Sequence, residues 1–199
     1  MRIIQRARAI LACVLAVLLV VPGAAAAYTL SFEPAAQVVG LGGRASVGVR
    51  ISGVTPQPPG SPGGLGDYDF EVLFDPAVIA FDTATDGGAL GLAVGLGANL
   101  LAPGRLKLSA FSLEDPADLL ALQSDSMLLL TLAFTGSGLG TSPLDFDNIT
   151  VGDVLGTPRA ATATGGSITV GAPPLPEPGT LALLAGAGLI VFGRRCCRK

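Results

Sequence analysis

Apolar and polar positions alternate in short blocks through the middle of this chain, and Gly, Pro and Asp break the blocks apart. That spacing predicts β-strands rather than helices. The clearest block is Asp67-Tyr68-Asp69-Phe70-Glu71-Val72-Leu73-Phe74. Tyr68, Phe70, Val72 and Phe74 share one side of an extended chain and the acids share the other, which predicts one buried and one wet face. Met127–Phe134 is apolar almost throughout and predicts a central strand covered on both faces. Further strands are predicted at Thr29–Phe32, Ala45–Ser52, Val78–Phe81, Arg105–Phe111, Leu144–Val151 and Gly166–Val170. Asp115-Pro116-Ala117-Asp118-Leu119-Leu120-Ala121-Leu122 predicts one short helix, with a capping Asp and a Pro in the first turn. Thr55–Gly66 is Pro/Gly-rich and reads as a long loop, whereas Gly87–Gly97 stays open between a loose strand and a packed loop. No repeat of fixed period is present. Many short strands with regular breaks predict an all-β sandwich or barrel.

The two ends follow different patterns. Arg2, Arg6 and Arg8 precede an apolar core from Ala9 to Val21; Pro22-Gly23 breaks it and Ala25-Ala26-Ala27 follows. This is the layout of a secretory signal peptide, with Ala25 and Ala27 as the small residues that signal peptidase requires and cleavage after Ala27. Cys13 lies in the middle of the apolar core, so a lipoprotein signal is not supported, and the arginines are not adjacent, so neither is a twin-arginine signal.

At the other end, Pro176-Glu177-Pro178-Gly179 precedes an apolar run from Thr180 to Gly193, and Arg194-Arg195-Cys196-Cys197-Arg198-Lys199 closes the chain. The prolines impose an extended peptide that a processing enzyme can grip. The run would reach about 21 Å as a helix, short of a bilayer core of about 30 Å. Arg194, Arg195, Arg198 and Lys199 are expected to stay cytoplasmic. This order resembles the PEP-CTERM sorting signal of Gram-negative bacteria that make exopolysaccharide. The resemblance implies transient inner-membrane insertion, processing by an exosortase, and a final place in the envelope or extracellular matrix. Leu175–Gly179 also approaches the LPxTG signal of sortases, but Pro178 stands where that signal needs Thr. The expected division is therefore a signal peptide at 1–27, one domain at 28–171, and a sorting segment at 172–199.

Setting the ends aside changes the electrostatics. The whole chain carries a formal charge of −3, but Tyr28–Leu175 holds fourteen acidic and five basic residues, a net of −9. So acidic a domain disfavours both nucleic acid and anionic lipid as partners. It contains no cysteine, hence no disulfide and no thiol nucleophile, because Cys13, Cys196 and Cys197 all lie in the terminal segments. The chain has no histidine, which excludes Ser-His-Asp and Cys-His catalysis and histidine-ligated zinc. A pair of carboxylates could still hydrolyse a glycosidic bond. The absence of tryptophan and the presence of only two tyrosines weaken both glycosidase and aromatic-platform sugar-binding readings. No cofactor is expected. Asp145, Asp147, Asn148 and Asp153 could offer oxygens to calcium, but Ile149 and Thr150 break the EF-hand pattern, and a solvated strand face explains them better. Asn148-Ile149-Thr150 fits a glycosylation sequon.

Tyr68-Asp69-Phe70-Glu71-Val72-Leu73-Phe74-Asp75-Pro76-Ala77-Val78-Ile79 resembles a strand, Asp-Pro turn and strand of cohesin domains, and Gly104–Ser112 and Leu128–Phe134 resemble that family's middle strands. The resemblance implies a jelly-roll β-sandwich and protein binding, to dockerins, through one sheet face; no dockerin-contact motif maps onto individual residues here. The expectation is an exported, non-enzymatic protein whose cohesin-like domain binds a protein or polysaccharide. A carbohydrate-binding accessory module is the alternative, and a carboxylate-dependent hydrolase a more distant one.

Overall fold

The computed structural model describes residues 28–54, 63–92 and 95–172. The signal peptide with Ala25 and Ala27, residues 55–62 of the Pro/Gly-rich loop, and the sorting segment from 173 onward lie outside the described residues. Within them the chain forms twelve strands and one short helix. In order these are β1 (Tyr28–Glu33), β2 (Ala36–Gly40), β3 (Arg44–Ser52), β4 (Asp67–Leu73), β5 (Ile79–Asp86), β6 (Gly97–Ala102) and β7 (Arg105–Phe111). They continue as α1 (Pro116–Leu122), β8 (Ser126–Gly136), β9 (Gly140–Gly152), β10 (Pro158–Arg159), β11 (Ala161–Thr164) and β12 (Gly166–Gly171). No helix among the described residues is long and apolar enough to cross a membrane.

The strands divide into a five-stranded sheet, β11-β1-β3-β8-β5, and a seven-stranded sheet, β2-β12-β9-β4-β7-β6 with β10 beside β9. Successive strands from β1 to β5 alternate between the sheets, so the chain repeatedly crosses the sandwich. All-β sandwich architecture is as expected. The inward faces interlock as one core: Leu30 and Phe32 of β1, Val47 and Val49 of β3, and Leu132 and Phe134 of β8 meet Phe70 and Val72 of β4 and Leu106 and Leu108 of β7. Phe32 stacks on Phe146 at 4.3 Å between ring centres, and Phe74 meets Phe134 edge-on at 5.4 Å.

Several local expectations hold. Tyr68, Phe70 and Val72 are buried while Asp67 and Asp69 face outward. The Asp-Pro turn forms: Asp75 Oδ1 accepts from the Ala77 N–H at 2.9 Å, and the Asp75 carbonyl accepts from the Val78 and Ile79 N–H groups. Helix α1 begins after Asp115, whose side chain accepts from the Ala117 N–H at 3.0 Å, and it buries Leu119. Gly87–Leu92 is a packed loop that buries Leu90, which resolves part of the open Gly87–Gly97 reading.

Two findings differ from expectation. Strand β8 is flanked by β3 and by the edge strand β5, one place off the centre of its sheet, and is not covered on both sides: Thr131, Ala133 and Thr135 of its outer face are half-exposed. Its unbroken apolar run reflects a bulge, where the register with β3 passes from Val49↔Leu130 to Arg50↔Leu128, and Leu129 and Leu130 are both buried. Strands β2, β6, β10 and β11 also exceed the predicted set. Strand β6 lies at the edge of its sheet and is exposed on both faces, so its sequence carries no alternation. It is held as a hairpin with β7 by Pro103-Gly104; Gly104 adopts φ +79°, and a Cβ there would lie 2.4 Å from the Phe74 carbonyl oxygen.

Candidate binding face

The outer face of the seven-stranded sheet is built by the strict alternation of three neighbouring strands. Strand β4 presents Asp69 and Glu71, β7 presents Arg105 and Lys107, and β9 presents Asp145 and Asp147. Register puts Glu71 directly opposite Lys107 and Leu73 opposite Arg105. Each cation therefore reaches diagonally, two residues along β4: Lys107 Nζ lies 3.0 Å from Asp69 Oδ2, and Arg105 pairs with Glu71. Arg105 then spans β4 to Asp147 of β9 at 3.0 Å. One guanidinium thus ties three strands together.

A second bulge completes this lattice. The β4–β9 register shifts between Asp69 and Glu71, and Asn148 sits at the shift with φ 51°, a left-handed conformation that Asn tolerates better than most side chains. Its side-chain amide donates to Glu71 Oε1 at 3.1 Å. Glu71 is only 8% exposed although its neighbours lie open. The Asn148 amide first, and the Arg105 guanidinium second, hold its carboxyl below the usual range. Asp145 adds a further acid beside these groups, so four carboxylates face two cations. Half-exposed Phe111 continues β7 on the same side.

A different acid–base set closes the end of the sandwich where β9 stops. Asp153 is fully buried. One of its oxygens accepts from the Leu155 and Thr157 N–H groups at 2.9 and 3.0 Å; the other accepts from Arg159 Nε at 3.0 Å and from an Arg159 terminal nitrogen at 2.6 Å. Burial pushes this carboxyl up, but the two backbone N–H groups and Arg159 outweigh it and hold it low. Beside it an open cleft of about 210 Å³ is lined by Asp67, Phe111, Ser112, Glu114 and Leu119. Asp67 is raised, first by burial and then by the nearby Asp153 charge. Opposite shifts on two neighbouring carboxyls suggest an acid and a base. Here the low one is buried with both oxygens occupied, so it is not presented to a substrate.

The four possible calcium ligands are not gathered. Asp147 pairs with Arg105, Asn148 with Glu71, and Asp153 with Arg159. Among the described residues no three acidic, histidine or cysteine side chains group as a metal site. Two parts of the site escape a linear reading. Arg159 stands in a short strand without alternation, and Gln123 clamps two loops by bonding Leu65 N–H and the Leu65 and Ala89 carbonyls. The proposed sorting residues Pro176, Glu177, Pro178 and Gly179, and the basic cluster Arg194, Arg195, Arg198 and Lys199, lie outside the described residues.

Residues 174–199 match the family model of the PEP-CTERM protein-sorting motif. The motif marks an exported, envelope-associated chain. The sandwich is similar in fold to solved cohesin modules. The seventh ScaB type I cohesin of Pseudobacteroides cellulosolvens shares 18% identity at a TM-score of 0.59, covering 77% of this chain and 99% of that one. A non-cellulosomal cohesin from the archaeon Archaeoglobus fulgidus shares 14% at 0.56, covering 74% and 93%. The sixth cohesin of scaffoldin B from Acetivibrio cellulolyticus, solved in complex with a Cel5 dockerin, shares 20% at 0.54, covering 73% and 99%. At such identities the likeness is one of fold. No curated protein matches the sequence. The chain is thus a cohesin-fold β-sandwich that carries a PEP-CTERM sorting motif.

Proposed function

We propose that this protein is a non-enzymatic component of the cell envelope or extracellular matrix of a Gram-negative bacterium, and that its sandwich, residues 28–171, grips a protein partner. Signal peptidase removes residues 1–27, and an exosortase processes the segment 172–199 at Pro176–Gly179 with Arg194, Arg195, Arg198 and Lys199 as the cytoplasmic stop. The observation that carries the binding reading is the Arg105 lattice. It offers a flat, prearranged set of charges with half-exposed Phe111 beside it. The dockerin bound by the Acetivibrio cohesin gives the kind of protein partner this fold can hold. A polysaccharide partner is less well supported, since Phe111 alone among the described aromatic residues is an exposed large hydrophobic.

The test is an affinity column bearing the purified protein, loaded with envelope extract from the same cells. One partner should be retained and should be lost with R105E/K107E, while Ser46→Glu on the opposite sheet leaves it bound. The reverse pattern overturns the assignment of the face, and retention of glycan in place of protein favours the carbohydrate-binding alternative. Mass spectrometry of the mature protein should find Tyr28 as the new N-terminus and no residues beyond about Thr180. An intact basic tail on the released protein would refute the processing reading.

A further inference from the structure

Strand β7 answers the outer acids of β4 along a regular diagonal. Arg105 stands opposite Leu73 and pairs with Glu71, and Lys107 stands opposite Glu71 and pairs with Asp69. One step further, Ser109 stands opposite Asp69, in the place from which a cation would reach Asp67. Serine is neutral and too short, so the series ends with its third acid unanswered. Strand β9 does not supply the charge either. It sets Gly152 opposite Asp67, so close that a Cβ there would overlap Asp67 Oδ2. Among the described residues no ion pair includes Asp67. Burial first, and the neighbouring Asp153 charge second, push its carboxyl up, as expected of an acid with no cation beside it.

Asp67 lies where a side chain from outside can reach it. It lines the open cleft at the end of the sandwich together with Phe111, its direct neighbour across β4 and β7. Leu119 lines the same cleft, and Glu114 brings a second carboxylate, one oxygen of which accepts from the Leu92 N–H at 3.1 Å. An aromatic ring and a leucine beside a carboxylate suit a long cation, whose methylenes lie on apolar surface while its charge meets the acid. A metal ion fits less well, because no three acidic side chains among the described residues group to hold one. With Asp67 included, the outer face sets five carboxylates against two cations, so the surface that complements it is basic. We infer, on the reading of this face as the protein-binding one, that the partner inserts a lysine or arginine side chain into the cleft and pairs it with Asp67 as the third cation of the series.

The test supplies the cation from outside and then from within. The purified protein, labelled with nitrogen-15, is titrated at low ionic strength with short peptides of glycine and serine, capped at both ends, whose central residue is lysine, arginine or norleucine. The lysine and arginine peptides should shift the amide signals of Gly66, Asp67, Phe111 and Ser112 saturably, and the uncharged norleucine peptide should not. Ser109→Lys places the third cation in the chain itself, and Asp67→Asn removes its acid; each should weaken the binding by about fivefold. Ser46→Lys adds the same charge to the opposite sheet and should leave the binding unchanged. Equal shifts with norleucine, shifts from calcium chloride in place of the lysine peptide, or binding that survives both Asp67→Asn and Ser109→Lys overturns the inference. On the column of envelope extract, a partner lost with R105E/K107E but kept by both Asp67→Asn and Ser109→Lys overturns the third cation and leaves the face standing. A partner kept by R105E/K107E refutes the face, and the inference with it.

Discussion

Two arginines in this sandwich each hold carboxylates, yet they do different work. Arg159 meets a carboxyl that water cannot reach, whose other oxygen already binds two backbone N–H groups. Arg105 meets exposed Asp147, and Glu71 that Asn148 also holds, on the outer face of a sheet where its own side chain is 41% exposed. The chemistry is the same and the surroundings differ. A buried pair leaves a stranded charge when one partner is removed, whereas an exposed pair is replaced by water at little cost. The first set therefore belongs to the fold, and the second is a surface left available to a partner.

Substitutions at these two sets can break that comparison or sharpen it. The largest effect is expected from Asp153→Ala, which strands Arg159 and removes the acceptor of the Leu155 and Thr157 N–H groups. Urea denaturation should show a loss of about 3 kcal/mol. The pH dependence carries the sign of the Asp153 shift. Its folded carboxyl is held low, so its contribution is present at neutral pH and disappears as pH falls through that lowered value. The variant should consequently show a flatter acid limb than the parent protein. An unchanged limb would mean that Asp153 is not the latch.

Next is Asn148, where the open lattice depends on backbone conformation. Asn148→Val places a β-branched residue at φ 51° and deletes the bond to Glu71, with an expected cost of about 2 kcal/mol. Asn148→Gly keeps the conformation and should cost less. Equal losses from both would assign the effect to the hydrogen bond rather than the backbone.

Arg105→Ala is the sharper contrast with Asp153→Ala. Its loss of stability should stay below about 1 kcal/mol, while partner affinity falls by about tenfold. Should stability fall as far as in Asp153→Ala, the two sets would not differ in kind. The smallest effect has the opposite sign. Asp67 is raised by burial and by Asp153, so its charged form opposes folding at neutral pH, and that penalty is relieved as pH falls through its raised value. Asp67→Asn should stabilise the protein by a few tenths of a kcal/mol at neutral pH, with no gain in acid where both forms are neutral. Thermal melts at both pH values check it.

Much of the fold is legible along the chain because half-buried strands write their own alternation. Tyr68, Phe70 and Val72 point inward in β4 as their spacing predicts, and Asp75-Pro76 and Asp115-Pro116 set a turn and a helix start through contacts two or three residues away. Edge strand β6 is not legible, since a strand open on both faces has no reason to alternate, and the edge strands β2 and β11 each set only a single small or half-buried apolar residue, Val39 and Ala161, against the core. Strand β8 misleads in the other direction: its bulge turns two consecutive leucines inward, and a continuous apolar run then looks like burial on both faces.

The charged residues divide the same way. Their presence, the acid excess of residues 28–175 and the addresses at the two termini are properties of composition and order, and they need no fold to be read. Which acid meets which base is a property of register. Arg105 joins Glu71 across 34 positions and Asp147 across 42, and Asn148 joins Glu71 across 77. Such pairs exist only after three strands have been laid side by side and the β4–β9 bulge has set their phase.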